Sequence, residues 1–393
     1  MRTVSDAERR ARLGRRHALA APEADAESAT RAVVCLHGTE PASVYLSVAA
    51  RTPSSMTDVE HALYEDRSIV RNLAMRRTVF GFPRDLLPAA YGSAGARVAG
   101  IQYRRLLAEA AQAGVADPEA WAVTQTDALL ALLAERGPMP LAAVRRELPE
   151  LGRTVTRSAG KSYEAQTSLA RALLVVLDAR GVLTRGRNTA GWKTSRPAWV
   201  PVGDWVGAPV EPLAEQEGYA ELVSRWLLRF GPGTEDDVVW WLGATKAAVR
   251  RALADVGAVA VALEDGTPAW LHPDDTDEVD APEAWAALLP SLDPTTMGWK
   301  GRGFYLGEHA EHIFDRNGNG GPTAWWNGRI VGGWTQDDDG RVVVVPVDGW
   351  PRGAKRVLED RAEELTAWLG GDVVRSIYQS PLIRSYAAGG SPT

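Results

Sequence analysis

Apolar positions along this chain fall into two alternating rhythms, and the alternation recurs. Ser5–Ala18, Ala24–Val34, Pro41–Ala50 and Thr57–Tyr64 read as helices. In the last of these, Thr57-Asp58-Val59-Glu60 has the spacing of a helix start, with Thr57 as cap and Glu60 reaching back to it. Over Ser68–Phe82 the period shortens. Ile69, Leu73, Met75, Val79, Phe80 and Phe82 suit two strands with Arg76-Arg77 near their turn. Asp85–Gly114 returns to helix, broken near Gly92–Gly95. Helices followed by a hairpin are the pattern of a winged helix.

The pattern repeats twice. Asp117–Arg136 reads as a strong helix, opened by Asp117-Pro118-Glu119 and closed by Gly137-Pro138. Pro140–Glu147 and Ser168–Arg180 follow, the latter with Leu169, Leu173, Val176 and Leu177 on one face. Gly181–Lys193 then reads as strand, polar glycine-containing turn and strand, a wing bearing arginines. In the third copy Glu217–Phe230 is helical and Gly231-Pro232-Gly233-Thr234 is a turn that caps a helix from Glu235. Lys246–Val256 is a further helix, and Ala258–Leu263 with Pro268–His272 make a hairpin about Glu264-Asp265-Gly266. The acidic, proline-containing stretch His272–Pro282 reads as a linker. Beyond it come strands at Ala286–Leu292, Gly303–Leu306, Thr323–Trp326, Arg329–Trp334 and Arg341–Val347, with hairpin turns at Asn327-Gly328 and Asp337–Gly340. A helix at Lys355–Leu369 ends at Gly370-Gly371, and the tail after Tyr386 reads as loose. The expectation is an α+β protein: three tandem winged-helix domains at 1–115, 116–212 and 213–275, followed by a carboxy-terminal β-domain at 283–393.

Length and composition narrow the class. A chain of 393 residues suits two to four domains, and 45% hydrophobic with 24% charged residues is the balance of an ordinary globular protein. No apolar run approaches the length needed to span a bilayer, and the basic amino terminus lacks the apolar core of a secretory signal. The single cysteine, Cys35, excludes an intrachain disulfide and a cysteine-built zinc site. Its apolar neighbours predict a buried thiol, and a reducing cytoplasm fits. The net charge of −6 argues against a generally basic protein, so distribution matters more than the sum. Gly137–Val200 carries eleven arginines and lysines against four carboxylates, and Arg67–Arg105 is also basic. The compensating acid is concentrated in Val202–Asp280.

The candidate chemistry sits near the amino end, in Cys35-Leu36-His37-Gly38-Thr39-Glu40-Pro41-Ala42-Ser43-Val44-Tyr45-Leu46. A polar interruption, His-Gly-Thr-Glu, stands where a helix would otherwise continue. In one reading it is an interhelical turn: Gly38 ends one helix, Thr39 caps the next, and Pro41 occupies an early position in it. In the other, His37 and Thr39 are presented at the mouth of a cavity, with Gly38 clearing space between them. The segment resembles the signature of the AlkZ/YcaQ superfamily of winged-helix DNA glycosylases. There the turn reads Gln-aliphatic-Gln or Gln-aliphatic-Asp, followed by an acidic residue, Pro and a Tyr-Leu pair. In register, His37 and Thr39 fall on the two polar catalytic positions, Gly38 on the aliphatic one and Glu40-Pro41 on the acidic-Pro pair. Both polar positions differ from the commonest family residues. "FGPGTEDDVVWWLG" resembles the third winged helix of that superfamily, and "LLPSLDPTTMGWKGR" and "GPTAWWNGRIVGGW" its carboxy-terminal β-domain. The resemblance therefore runs over nearly the whole chain.

The resemblance implies a monofunctional DNA glycosylase that hydrolyses the N-glycosidic bond of N7- or N3-alkylated purines, bulky genotoxin adducts included, in DNA repair or antibiotic self-resistance. Such chemistry asks little of a protein. Ring alkylation makes the base cationic, so it leaves without a general acid; what remains is to stabilise an oxocarbenium-like sugar and place one water. A neutral His37 would accept the water's proton while Thr39 Oγ1 holds that water. Glu40 would add negative charge near the sugar or cap the helix. No lysine lies in the motif, so a Schiff-base step is not indicated. The competing reading of His37 is a satisfied interhelical histidine.

The implied partner is double-stranded DNA carrying alkylated bases. Arg76 and Arg77 on the first wing, and Arg185, Arg187 and Lys193 on the second, suit phosphate contact, although a solvated charged hairpin reads the same way. Trp226, Trp240, Trp241 and Trp334 sit at periodic positions and read as core, whereas Trp299-Lys300-Gly301-Arg302 reads as a loop that touches DNA or an adduct. His309 and His312 are three apart and miss the zinc-protease spacing. Asp315–Gly320 opens like a calcium loop, but Trp326 stands where glutamate is needed and Arg316 opposes the cation. No metal is expected. No Walker loop or dinucleotide fingerprint occurs, so no cofactor is expected either. The protein is expected to be a cytoplasmic monomer without membrane contact. The first rival function is a non-catalytic winged-helix transcriptional regulator, supported by His-Gly-Thr in place of the commoner motif; the second is an interaction scaffold, supported only by the net charge.

Overall fold

Local hydrogen bonding sets the element boundaries in this computed structural model, which describes residues 1–157, 160 and 164–389; Lys161 of the basic segment lies outside them. Ser5 Oγ accepts from the Glu8 amide and opens the helix Asp6–Arg16. Asp25 and Ser28 form a reciprocal capping box on Ala26–Ala32. That helix stops before Val33, because Leu36–His37 runs extended and pairs antiparallel with Val79–Pro83, Leu36 opposite Gly81 and His37 opposite Phe80. Ile69–Leu73 completes this three-stranded sheet. Gly38 therefore follows a strand and does not end a helix. Thr39 is not the cap of Pro41–Ala49 either; Glu40 holds that position without a side-chain cap bond, and Pro41 is the first helical residue. The next helix, Met56–Tyr64, is opened by Ser55 with Asp58, two residues before the expected Thr57.

The stretch expected to break near Gly92–Gly95 stays helical. Leu87–Ala90 runs through a π-helical turn, Tyr91–Gly95, into Ala96–Gln112. Gly92 serves close approach instead, since a Cβ there would lie 1.9 Å from the Leu213 carbonyl oxygen. Further on, the helices Pro118–Arg136, Leu141–Glu147 and Leu169–Ala179 surround a sheet in the order Met139–Pro140, Pro197–Pro201, Leu183–Asn188. The return strand starts at Pro197, not before Lys193, so Trp192 and Lys193 lie in the connecting loop. A second hairpin, Thr154–Arg157 with Ala165–Ser168, joins this region without a clear apolar alternation to announce it.

Glu215–Phe230, Glu235–Leu242 and Lys246–Val256 precede the hairpin Val259–Leu263 with Pro268–Leu271. The start of the chain comes back to it: Thr3–Val4 pairs parallel with Val259–Leu263. The carboxy-terminal part is a four-stranded antiparallel sheet, Ala286–Leu289, Thr323–Trp326, Arg329–Gln336 and Val342–Pro346 in sequence order, with Ala354–Leu369 packed on it. Gly303–Leu306, expected as a strand, is a helical turn ended by Gly307 at φ 58°. Phe304, Tyr305 and Leu306 are all buried, a burial that a strand with one solvated face does not give.

One apolar core runs through the first region, the third region and the carboxy-terminal sheet, and a second, from Leu106 to Trp199, lies in between. The architecture is α+β, helices with small sheets. No helix among the described residues is long and apolar enough to cross a membrane.

Candidate active site

Strand pairing decides the environment of His37. Opposite Phe80, its ring meets that phenyl group edge-on at 5.4 Å between centroids, and the residue is only 6% exposed. The next amide, Gly38, donates to the Val79 carbonyl at 2.8 Å. A Cβ on Gly38 would stand 3.2 Å from Val79 Cγ1, so any larger residue requires Val79 to give way. His37 Nδ1 is buried without a hydrogen-bond partner. Burial, and next the charge of Arg76, lower the imidazole to about 3. The pKa near 6.5 of an unperturbed histidine does not apply here. His37 is neutral at physiological pH, and it is not a satisfied interhelical histidine.

Thr39 faces a different space. It is half-buried and lines a cavity of about 400 Å³ together with Glu40, Ser43, Lys193, Arg375 and Ser376; His37 does not line it. Presentation at a cavity mouth thus holds for Thr39 and not for His37. The Glu40 carboxylate accepts from the Ile377 amide at 2.6 Å and the Ser376 hydroxyl at 2.8 Å. Burial raises its pKa above the usual carboxylate range, against the pull of those bonds. Glu40 therefore anchors the 376–377 segment and does not cap its own helix.

Apart from Arg76 and Arg302, the cations expected to face DNA divide into three kinds. Arg77 is exposed and has no carboxylate within salt-bridge distance among the described residues. Arg187, Lys193 and Lys300 are exposed too but pair with Glu65 at 2.6 Å, Asp372 at 2.8 Å and Asp236 at 3.1 Å, respectively. Arg185 is different. Its guanidinium grips the fully buried Asp178 at 2.8 Å and lies 4.7 Å from the Trp199 ring centroid. It is a structural ion pair and not an open phosphate contact. Trp299 is also corrected: it is 3% exposed, stacked near His17, and its indole donates to the Phe230 carbonyl at 3.1 Å. Gly298, beside it, admits the Phe230 ring where a Cβ would clash at 2.3 Å, which draws the indole inward.

Arg76 and Arg302 both lie against one indole. The Arg76 guanidinium carbon lies 4.0 Å and that of Arg302 5.0 Å from the Trp240 ring centroid. Each such contact is worth about 0.5–2 kcal/mol. Arg76 and Arg77 both adopt left-handed backbone, φ 54° and 58°, an uncommon state for residues with a side chain. Sequence reading named both arginines but took Trp240 for core, because its helical spacing does not distinguish a buried face from a half-buried one. Asp293, fully buried and paired with the equally buried Arg51 at 2.7 Å, was missed as well. Its signal was a carboxylate set among apolar neighbours in Leu289-Pro290-Ser291-Leu292-Asp293-Pro294.

The fold that carries these features is shared with a solved DNA glycosylase. Streptomyces sahachiroi DNA glycosylase AlkZ superposes on the chain with a TM-score of 0.74 at 19% sequence identity, over 95% of this chain and 99% of that one. No curated protein matches the chain by sequence. The profile of the family described as DNA glycosylase AlkZ-like matches residues 30–368, from just before the His37 strand to the helix behind the carboxy-terminal sheet. The chain belongs to this AlkZ-like family of DNA glycosylases.

Proposed function

We propose that the protein is a monofunctional glycosylase that hydrolyses the N-glycosidic bond of N7- or N3-alkylated purines in duplex DNA. The observation that carries this reading is the neutral, buried His37, with Nδ1 unpartnered, at the first polar position of the family's catalytic turn. A cationic base departs without a proton donor, so the site needs an acceptor for water and no acid. An imidazole lowered to about 3 is a weak base. Its role is to accept a hydrogen bond and orient the water; once the base has left and this water has bonded to the sugar cation, the excess proton passes to solvent water. No lysine occurs in residues 35–46, in keeping with simple hydrolysis. The cavity at Thr39, about 400 Å³ and not lined by His37, lies in the size range of small-molecule sites and suits the bulky substituent of an adduct. Genotoxin adducts are the corresponding substrates, in repair or in self-resistance.

In this reading the helix-and-hairpin units at 1–115, 116–212 and 213–275 act as winged helices beside a β-domain at 283–393. Arg77, Arg187, Lys193 and Lys300 supply exposed positive charge to the duplex, the last three exchanging their carboxylate partners for phosphates. The protein acts as a monomer. The test is incubation with duplexes that each carry one defined lesion: N7-methylguanine, N3-methyladenine or a bulky N7-guanine adduct. Alkali then cleaves at any abasic site. Strand cleavage dependent on the protein is expected; tight binding with no base release from any of the three would overturn the proposal.

A further inference from the structure

Two half-buried cations on one aromatic ring, with no anion between them, are an incomplete arrangement. Arg76 sits in the turn between Ile69–Leu73 and Val79–Pro83, Trp240 on the helix Glu235–Leu242, and Arg302 at the end of the loop from Trp299. Three segments distant in sequence thus converge. Among the described residues neither arginine has a carboxylate within salt-bridge distance, and Arg76 Nε is buried with no hydrogen-bond partner. Arg302 is held by its surroundings: its Nε donates to the Trp299 carbonyl at 3.0 Å, Nη1 to the Gly318 carbonyl at 3.4 Å and Nη2 to Met297 Sδ at 3.9 Å, and its guanidinium lies 4.2 Å from the Phe314 centroid, which leaves one N–H on each Nη for a ligand. Asp237 is the nearby acid, but Oδ1 is occupied by the amides of Lys300 and Gly301 and Oδ2 by Thr234.

Desolvation and the neighbouring Arg302 charge lower Arg76 to about 10, the direction expected of two cations held together without a counterion. The left-handed turn aims the side chain, and Gly243 leaves room for it: a Cβ there would lie 3.3 Å from Arg76 Cγ. The charge of Arg76 also reaches His37. A bidentate guanidinium pair facing an oxyanion is the arrangement that binds phosphate strongly. We propose that Arg76 and Arg302, plated on Trp240, clamp a single phosphodiester of the DNA strand and so fix the register of the lesion beside His37. This rests on the glycosylase reading for its function, but the clamp itself is a claim about binding.

The experiment replaces phosphates one at a time by neutral methylphosphonates along a duplex, with and without N7-methylguanine, and titrates the full-length protein on each. One position should dominate, weakening wild-type binding about tenfold, the range of a lost charged hydrogen bond. Arg76→Gln and Arg302→Gln should each weaken binding to the all-phosphate duplex by a similar factor. The double variant should be little worse than either single one, because all three changes remove the same contact. In the double variant the dominant position should become silent. Trp240→Phe should keep most of the affinity, and Trp240→Ala should lose it. A flat methylphosphonate scan on the wild-type protein overturns the clamp even if a variant fails to fold, and so does an additive pair of arginine effects. A clear scan together with no base release from any of the three lesion duplexes keeps the clamp and removes the glycosylase reading.

Discussion

A histidine lowered to about 3 stays neutral across the whole physiological range, which fixes what His37 can do. As an acceptor that orients water, it should be needed for excision but give no pH break near 6.5. His37→Ala should slow single-turnover excision at pH 7.5 by about a hundredfold or more, the range for loss of a positioned acceptor, while duplex affinity barely changes. His37→Gln should retain activity, because an amide oxygen accepts the same hydrogen bond. Equal rates for wild type and the alanine variant would make His37 scaffold. A rate that falls through pH 6.5 in wild type but not in His37→Gln would mean the imidazole titrates normally. The same residue links stability to acid. Its folded pKa lies below the unfolded value near 6.5, so above pH 6.5 it has no effect. From there down to about 3 the unfolded chain binds more protons, and stability falls by about 1.4 kcal/mol per pH unit. His37→Gln should therefore lose about 2 kcal/mol less than wild type between pH 7 and pH 5 in urea denaturation. His17, also buried and lowered, remains in both proteins and does not affect the difference.

Elements opened by a hydroxyl or carboxylate cap were legible because the cap is local. Asp117, Ser168 and Thr234 all accept from the amide three residues on. The slip from Ser55 to Thr57 came from two overlapping hydroxyl-to-acid spacings, Ser55–Asp58 and Thr57–Glu60, that sequence alone cannot rank. What stayed hidden depends on distant partners. Leu36–His37 is a two-residue strand whose mate is more than forty positions away, and its burial, not its motif, sets the chemistry of His37. Arg185 shows the same gap on a wing. Its position marked it as a surface cation, yet Asp178 also accepts from the Leu73 amide and Asn72 Nδ2, each at 2.9 Å, and is fully buried. Burial raises the carboxyl pKa of Asp178, with Arg185 the largest opposing influence. Removing Arg185 leaves that acid buried and unpaired, so Arg185→Ala should cost about 3–5 kcal/mol in denaturant unfolding. Arg187→Ala should cost under about 1 kcal/mol, since its pairs are exposed. In DNA titrations Arg187→Ala should flatten the slope of log affinity against log salt by about 0.9, the signature of one lost phosphate contact. An unchanged slope would place Arg187 away from the duplex.

The molecule as a whole is tied across its shared core by one buried ion pair. Arg51, just beyond the helix Pro41–Ala49, meets Asp293 of the carboxy-terminal region through two parallel bonds of 2.9 and 2.7 Å, with both side chains at 0% exposure. The remaining arginine donors go to the carbonyls of His17 and Ser47 and to Thr295 Oγ1. All five N–H groups of the guanidinium are thus used. Asp293 in turn also accepts from Ser47 Oγ at 2.7 Å and the Thr295 amide at 2.9 Å. A buried pair so fully satisfied adds little stability over well-packed apolar residues, but losing one member leaves the other charge stranded. The pair joins the helix Pro41–Ala49 to the loop leading to Trp299 and Arg302. Asp293→Leu and Arg51→Met should each lower unfolding free energy by about 3–5 kcal/mol, whereas the double replacement should cost less than either alone. Urea denaturation of the four proteins measures this cycle. If the two single effects simply added, the pair would not be the unit joining these regions, and the surrounding apolar core alone would hold them together.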